Sequence, residues 1–167
     1  MDYKHLLKDR PKNAPVKFVF FDIDGTVADI SHRLHFIQSE PKDWASFHAA
    51  ATDDKPMEDM VSIVIALFKQ SCNNGYCPIF VTGRPESSRE ITLKWLNQTF
   101  GIYFLDDELA MRKNDDYRPD HVIKRELVQN LRKLGHDVVF AVEDRQQVVD
   151  MYRKEGIRCL QCADGRY

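Results

Sequence analysis

The residues best suited to chemistry are two aspartates, Asp22 and Asp24, standing two apart where an apolar run gives way to a turn. At that spacing their side chains set out from the same side of a strand. Gly25 then lets the chain turn sharply, and Thr26 can bond back to the turn. Carboxylates held this close repel one another unless a positive group joins them or one keeps its proton. Mg2+ resolves the conflict, because it favours hard carboxylate and carbonyl oxygens and retains waters for a substrate. A third acid, Asp144, follows another apolar run with Glu143 beside it, and would complete such a site. Taken alone, DIDGT reads equally as a strand followed by a turn. The case for chemistry is that three apolar runs end in capable residues: Asp22 and Asp24, Thr82, and Glu143 with Asp144.

The elements that must position these residues can be read from periodicity. Residues 16–21 (VKFVFF) form a short run apolar on both faces, as a covered central strand requires. Met57, Met60, Val61, Val64, Ile65, Leu67 and Phe68 recur at helical spacing up to Asn74-Gly75. A second strand follows at residues 78–81, and Pro85 suits the first turn of a helix carrying Ile91, Trp95 and Leu96. A shorter strand is expected at residues 102–105. Asp120 is placed to cap a helix presenting Ile123, Leu127, Leu131 and Leu134 before Gly135. Residues 138–142 (VVFAV) make another strand. A helix marked by Val148, Val149 and Tyr152 leads from it to a last strand at residues 157–160. Strands alternating with helices predict an α/β fold, a doubly wound, Rossmann-like parallel sheet flanked by helices. Ligands bind such sheets beyond the carboxyl ends of the strands, where the candidate acids lie.

With 167 residues the chain makes one domain: an N-terminal arm over residues 1–15, expected to be frayed, and a single unit over residues 16–167. No apolar run approaches the ~20 residues of a membrane span, and the start has no apolar segment of a secretory signal. A formal net charge of −2 argues against a protein that coats nucleic acid, but not against one gripping a strand end. Cys72, Cys77, Cys159 and Cys162 could be imagined as a zinc site. Cys77 and Cys159 instead each open a strand-like segment, where free cysteine acts as a small hydrophobe. A reduced, cytoplasmic setting is the expectation.

The sequence resembles the haloacid-dehalogenase (HAD) superfamily of phosphatases. FVFFDIDGTVAD is similar to its first motif, VTGRP to its second, Lys124 in DHVIKREL to its third, and VEDR to its fourth. RPDHVIKREL and AVEDRQQVVDMYRKEGIRCLQ further resemble the 3′-phosphatase domains of bacteriophage polynucleotide kinase-phosphatases. Arg33, Arg84 and Asp120 also stand where those domains have functional residues. The kinase phosphate-binding loop GxxxxGK[ST] is missing, and the SHRLHFIQ and PKDWASFHAA region departs from the phage pattern.

The resemblance implies that Asp22 attacks phosphorus to form an aspartyl-phosphate, while Asp24 protonates the leaving alkoxide and then activates water. It implies that Asp22, the Asp24 carbonyl and Asp144, aided by Glu143, hold Mg2+. Lys124 and Thr82 would stabilise the transferring group. Gly83, Arg84, Arg33 and Asp120 would form the substrate side. Asp120 could serve as a helix cap or position Arg84, and Glu143 could bind metal through water or orient Lys124 and Arg145. Only a small flap at about residues 27–56 separates the first motif from the next helix, so the fold carries a minimal cap or none. An open site suits a 3′-phosphorylated nucleic-acid end, and also a nucleotide. Trp44, Phe47 and His48 in the flap could stack a base or pack on the core. No membrane and no obligate protein partner are expected. A 5′(3′)-nucleotidase, a phosphotransferase or a HAD-fold binding protein without catalysis are the alternatives.

Overall fold

The computed structural model describes residues 1, 5–8, 14–38 and 40–165. Its frame is a five-stranded parallel sheet made of β1 (Lys17–Phe21), β4 (Cys77–Pro85), β5 (Leu109–Arg112), β6 (Asp137–Glu143) and β7 (Arg158–Gln161), in the order β5-β4-β1-β6-β7. Between β1 and β4 lie a two-stranded antiparallel ribbon, β2 (Ala28–Asp29) with β3 (Lys55–Pro56), and two short helices, α1 (His35–Gln38) and α2 (Trp44–Ala49). The longer helices are α3 (Glu58–Asn73), α4 (Arg89–Phe100), α5 (Asp120–Lys133) and α6 (Gln146–Lys154). The ribbon and an Met57 N–H to Val27 carbonyl bond close the intervening segment on itself, leaving it as a small helical flap beside β1.

The sheet is buried on both faces because its strands alternate between two cores. Phe18 and Phe20 join Ile79, Ile123, Leu127, Leu131, Val148, Val149 and Tyr152 on one side. Val19 and Phe21 join Val64, Phe68, Phe80, Trp95, Leu96 and Phe104 on the other. Of the expected arm, residues 2–4 and 9–13 lie outside the described residues. Met1 and Leu6 are buried in the first of these cores, with residues His5–Leu7 in a 3-10 turn. Cys77 and Cys159 are buried as small hydrophobes at strand positions. Among the described residues no helix is long and apolar enough to cross a membrane.

Three local expectations are corrected. Residues 102–105 form no strand; Phe104 plugs an aromatic cluster, 5.2 Å from both Phe68 and Phe80, while Tyr103 and Leu105 stay exposed. The edge strand is the Leu-Ala-Met-Arg run four residues later. Pro85 ends β4 rather than starting a helix, and a 3-10 turn at Glu86–Ser88 intervenes before α4. Asp120 is the first residue of α5, whose N-cap is Pro119, and its carboxylate caps nothing because two arginines take it.

Candidate active site

Strand order places β1 where the sheet's connections diverge, with β4 and β5 to one side and β6 and β7 to the other. The crevice at its carboxyl end is where such a sheet accepts a ligand. Asp22 and Asp24 emerge there. Gly25 at φ 80° makes the turn behind them, and its N–H bonds to the Ala28 carbonyl at 2.9 Å. Glu143 and Asp144 arrive from the end of neighbouring β6, to which the Asp22 N–H is tied through the Val142 carbonyl (3.0 Å). Lys124 reaches across from α5.

Two charge clusters result. In the first, the buried Lys124 Nζ donates to Asp22 Oδ1 and to Glu143 Oε2, both at 2.6 Å. Carboxylate oxygens of Asp22, Glu143 and Asp144 lie within 4.8 Å of one another. Three buried acids around one ammonium leave an excess of negative charge. Burial, then the charge of Glu143, pushes Asp22 up to about 8 in spite of Lys124. Burial likewise takes Glu143 up to about 7, with Lys124 opposing and Asp144 adding to the rise. For Lys124 burial works against the charge, but Asp22 and Glu143 outweigh it and hold its pKa well above the ordinary value. A hard, all-oxygen donor set carrying surplus buried charge fits a small divalent cation such as Mg2+.

In the second cluster Asp24 is gripped by Arg33 (Nη2, 2.7 Å) and by Arg84 (Nη2, 2.6 Å; Nε, 3.0 Å). Both guanidiniums also bond a fourth residue, Asp54, which accepts from Arg33 Nε and Nη2 at 2.7 Å each and from Arg84 Nη2 at 2.6 Å. Arg33 is 0% and Arg84 1% exposed. Phe47 lies under Arg33, whose Cζ is 4.1 Å from the ring centroid, and Trp95 anchors the far side by donating to the Asp54 carbonyl at 2.8 Å. Burial alone would raise Asp24, but Arg84 and Arg33 together hold it below the usual carboxylate range.

The structure therefore brings Asp22, Lys124, Glu143 and Asp144 together, and Arg33 and Arg84 around Asp24. Arg33 and Arg84 were expected on the substrate side, but both are buried and neither lines the cleft in front of the acids. That cleft, about 490 Å3, is bordered by Asp22, Asp24, Gly83 and Asp120, by Trp44 and His48 of the flap, and by Tyr117 and Arg118. Thr82 is fully buried beneath it, and its Oγ accepts the Arg84 N–H at 3.2 Å, leaving the hydroxyl proton to donate elsewhere. Asp120 positions Arg112 and Arg145, not Arg84. Gly83 is needed beside it, since a Cβ there would stand 2.7 Å from Asp120 Oδ1. Glu143 orients Lys124 and accepts the Arg145 backbone N–H at 3.3 Å. Asp54 was missed because Thr52-Asp53-Asp54-Lys55 reads as a polar loop. The only signal was a buried arginine and a buried tryptophan in need of acceptors.

Residues 16–167 match the family model of the polynucleotide kinase PNKP phosphatase domain. A chain of the solved Pnkp1/Rnl/Hen1 RNA repair complex is 30% identical, with a TM-score of 0.68 over 93% of this chain and 45% of that one. A protein of Autographa californica nuclear polyhedrosis virus, provisionally named a bifunctional polynucleotide kinase/RNA ligase, is 27% identical over 81% of this chain and 17% of its own length. The class C acid phosphatase of Bacillus anthracis shares the fold at 16% identity, with a TM-score of 0.59 over 93% of this chain and 70% of that one. The chain thus spans less than half the length of the repair-complex relative and a smaller share of the viral one.

Proposed function

Because the chain belongs to the PNKP phosphatase-domain family of HAD-type phosphatases, we propose that it removes the 3′-phosphate from polynucleotide ends through an aspartyl-phosphate on Asp22. The observation that carries this reading is the buried set Asp22, Lys124, Glu143 and Asp144 at the carboxyl end of the central strand, with a second acid, Asp24, held two residues on.

Asp22 is the nucleophile: its carboxylate attacks phosphorus in line, and the ester oxygen departs opposite. Lys124 neutralises Asp22 and, with the Thr82 hydroxyl, offsets charge on the phosphoryl oxygens as the bond to the leaving oxygen breaks. Asp24 gives a proton to the departing 3′-oxygen, then takes one from the water that opens the aspartyl-phosphate and regenerates Asp22. Its grip by Arg33 and Arg84 fixes the carboxylate's direction and favours the ionised, water-activating form. The acid half of the cycle uses the proton that Asp24 takes from water in the hydrolytic half, so that one proton is carried round the cycle. We accordingly assign Arg33 and Arg84 to positioning Asp24, with Asp54 anchoring both. Asp22, the Asp24 carbonyl, Asp144 and Glu143 would hold Mg2+, which when bound supplies positive charge to the phosphate and keeps Asp22 ionised. Reduced cysteines suit a cytoplasmic setting for this chemistry.

The test is Mg2+-dependent phosphate release from a 3′-phosphorylated oligonucleotide, its 5′-phosphorylated counterpart, and 3′- and 5′-mononucleotides. Asp22→Asn serves as the control. The reading predicts preference for the 3′-phosphorylated oligomer and loss of at least ~100-fold in the variant, the scale of losing a transition-state contact. Faster turnover of mononucleotides would make the protein a nucleotidase, a reading that the size of the cleft also supports.

A further inference from the structure

Two aromatic side chains border the cleft without belonging to either charge cluster. Trp44 is the first residue of α2, a helix fixed by Asp43, whose Oδ1 accepts the Ser46 N–H at 2.9 Å. Its indole is supported by Phe47, edge-on with centroids 5.8 Å apart, and by His48, stacked at 6.0 Å and 24°. Yet Trp44 remains 47% exposed. Tyr117 is 88% exposed in the loop after β5. That loop is held firmly: Arg112 Nη1 donates to the carbonyls of Asp116 (2.7 Å) and Arg118 (2.6 Å), on either side of the tyrosine. Asp116 also accepts the Arg118 Nε at 2.8 Å.

Exposed rings on clamped backbone are surfaces that need no ordering before they bind, and rings that lose little entropy contribute most to affinity. Both rings border the one cavity that also holds Asp22 and Asp24. Lys42, 5.8 Å from the Trp44 ring centroid, adds positive charge at the same wall, where Arg118 is paired with Asp116 and Glu126. Flat apolar faces beside a cation are what a nucleobase attached to a phosphate backbone requires. We propose that Trp44 and Tyr117 form a slot that stacks the base of the terminal nucleotide, so that the cleft selects an unpaired 3′ end. This rests on the phosphatase reading above. The terminal base of a blunt duplex is paired and stacked on its one neighbour, and entering the slot would cost that pairing.

The experiment compares three 3′-phosphorylated substrates: a single-stranded oligonucleotide, the same strand with an abasic terminal residue, and the same strand in a blunt duplex. Each is assayed with wild type, Trp44→Ala, Tyr117→Ala and the conservative Trp44→Phe and Tyr117→Phe. Wild type should favour the base-bearing single strand. Each alanine variant should lower its preference over the abasic end by about 5- to 150-fold in kcat/KM, chiefly through KM, the range that base–aromatic stacking supplies. The phenylalanine variants should keep most of the preference. Equal turnover of base-bearing and abasic ends by wild type, or undiminished discrimination in both alanine variants, would overturn the slot and leave the phosphatase reading standing. No phosphate release by wild type from any of the three ends would refute the phosphatase reading itself, and the slot with it.

Discussion

Asp54 gives the sharpest test of how the site is held, because it makes four side-chain contacts and reaches no substrate-facing surface. It accepts three hydrogen bonds from Arg33 and Arg84 at 2.6–2.7 Å, and its Oδ1 lies 3.0 Å from His32 Nε2. With Asp54 present, two guanidiniums face two carboxylates and the buried unit is neutral. In Asp54→Ala two guanidiniums, each at most 1% exposed, must share Asp24 alone, leaving one buried positive charge in excess. Removing one partner from a buried ion pair costs about 3–5 kcal/mol. For a domain of this size each kcal/mol lowers Tm by roughly 2–4 °C, so the variant should melt about 6–20 °C below wild type. Asp24, no longer held by anchored arginines, should also lose its aim, lowering kcat by up to about 100-fold. Differential scanning calorimetry and phosphate release on the same samples measure both. Asp53→Ala, one exposed residue away, is the control and should stay within about 0.5 kcal/mol. A Tm for Asp54→Ala within about 2 °C of wild type, with turnover unaltered, would refute the claim that this acid anchors the arginines.

Other outcomes follow from the Asp22 cluster and from Gly83. Asp22 and Glu143 rise from ordinary values of 3.8 and 4.5 to about 8 and about 7, so between those limits the folded protein holds protons the unfolded chain has released. The stability they supply is full below about pH 4 and lost as pH climbs through 7 and 8, whereas the lowered Asp24 acts oppositely and only in acid. Metal-free protein should therefore melt lower at pH 8.5 than at pH 6, and Mg2+ should protect most at the higher pH. Parallel melting curves with EDTA and with Mg2+ across that range would sink the idea. Mg2+ binding at pH 7 should release roughly one proton, read by calorimetry in buffers of differing ionisation enthalpy. Lys124→Met removes the ammonium bonded to both Asp22 and Glu143, and should destabilise by about 3–5 kcal/mol at pH 8 with partial recovery at pH 6; circular-dichroism melts at the two pH values decide it. Gly83→Ala pushes a methyl to 2.7 Å from Asp120 Oδ1, which Arg112 and Arg145 hold in place, so about 1–3 kcal/mol should be lost in denaturant titration.

Much of the fold was legible because its signals are local. The apolar runs at β1, β4 and β6 and the helical spacing of Met57 to Phe68 need no tertiary information, and each of the three strand runs ends in a polar residue of the candidate site. The edge strand β5 was not legible, because the exposure of Tyr103 and Leu105 cannot be told from burial in a four-residue apolar run. The candidate acids could be named from their type and their place at the ends of apolar runs, and Lys124 from the resemblance to the third HAD motif. The partnership of Arg33 and Arg84 with Asp54 could not, because it joins residues 21 and 30 positions apart through side chains whose burial the surrounding polar sequence conceals. Tyr117 was likewise hidden in a run of charged neighbours, where only the Arg112 clamp distinguishes a fixed ring from a loose one.

The order of strands also bears on how the chain comes together as it is made. β1 is synthesised first and finds β4 within some sixty residues, but its other edge has no partner until β6, which ends at Glu143. In the interval Phe-Val-Phe-Phe presents an unpaired apolar edge, the kind of surface that recruits a second chain. The strand that covers that edge is the one that delivers Glu143 and leads directly into Asp144. Protection from misassembly and completion of the acidic cluster therefore occur in a single docking event.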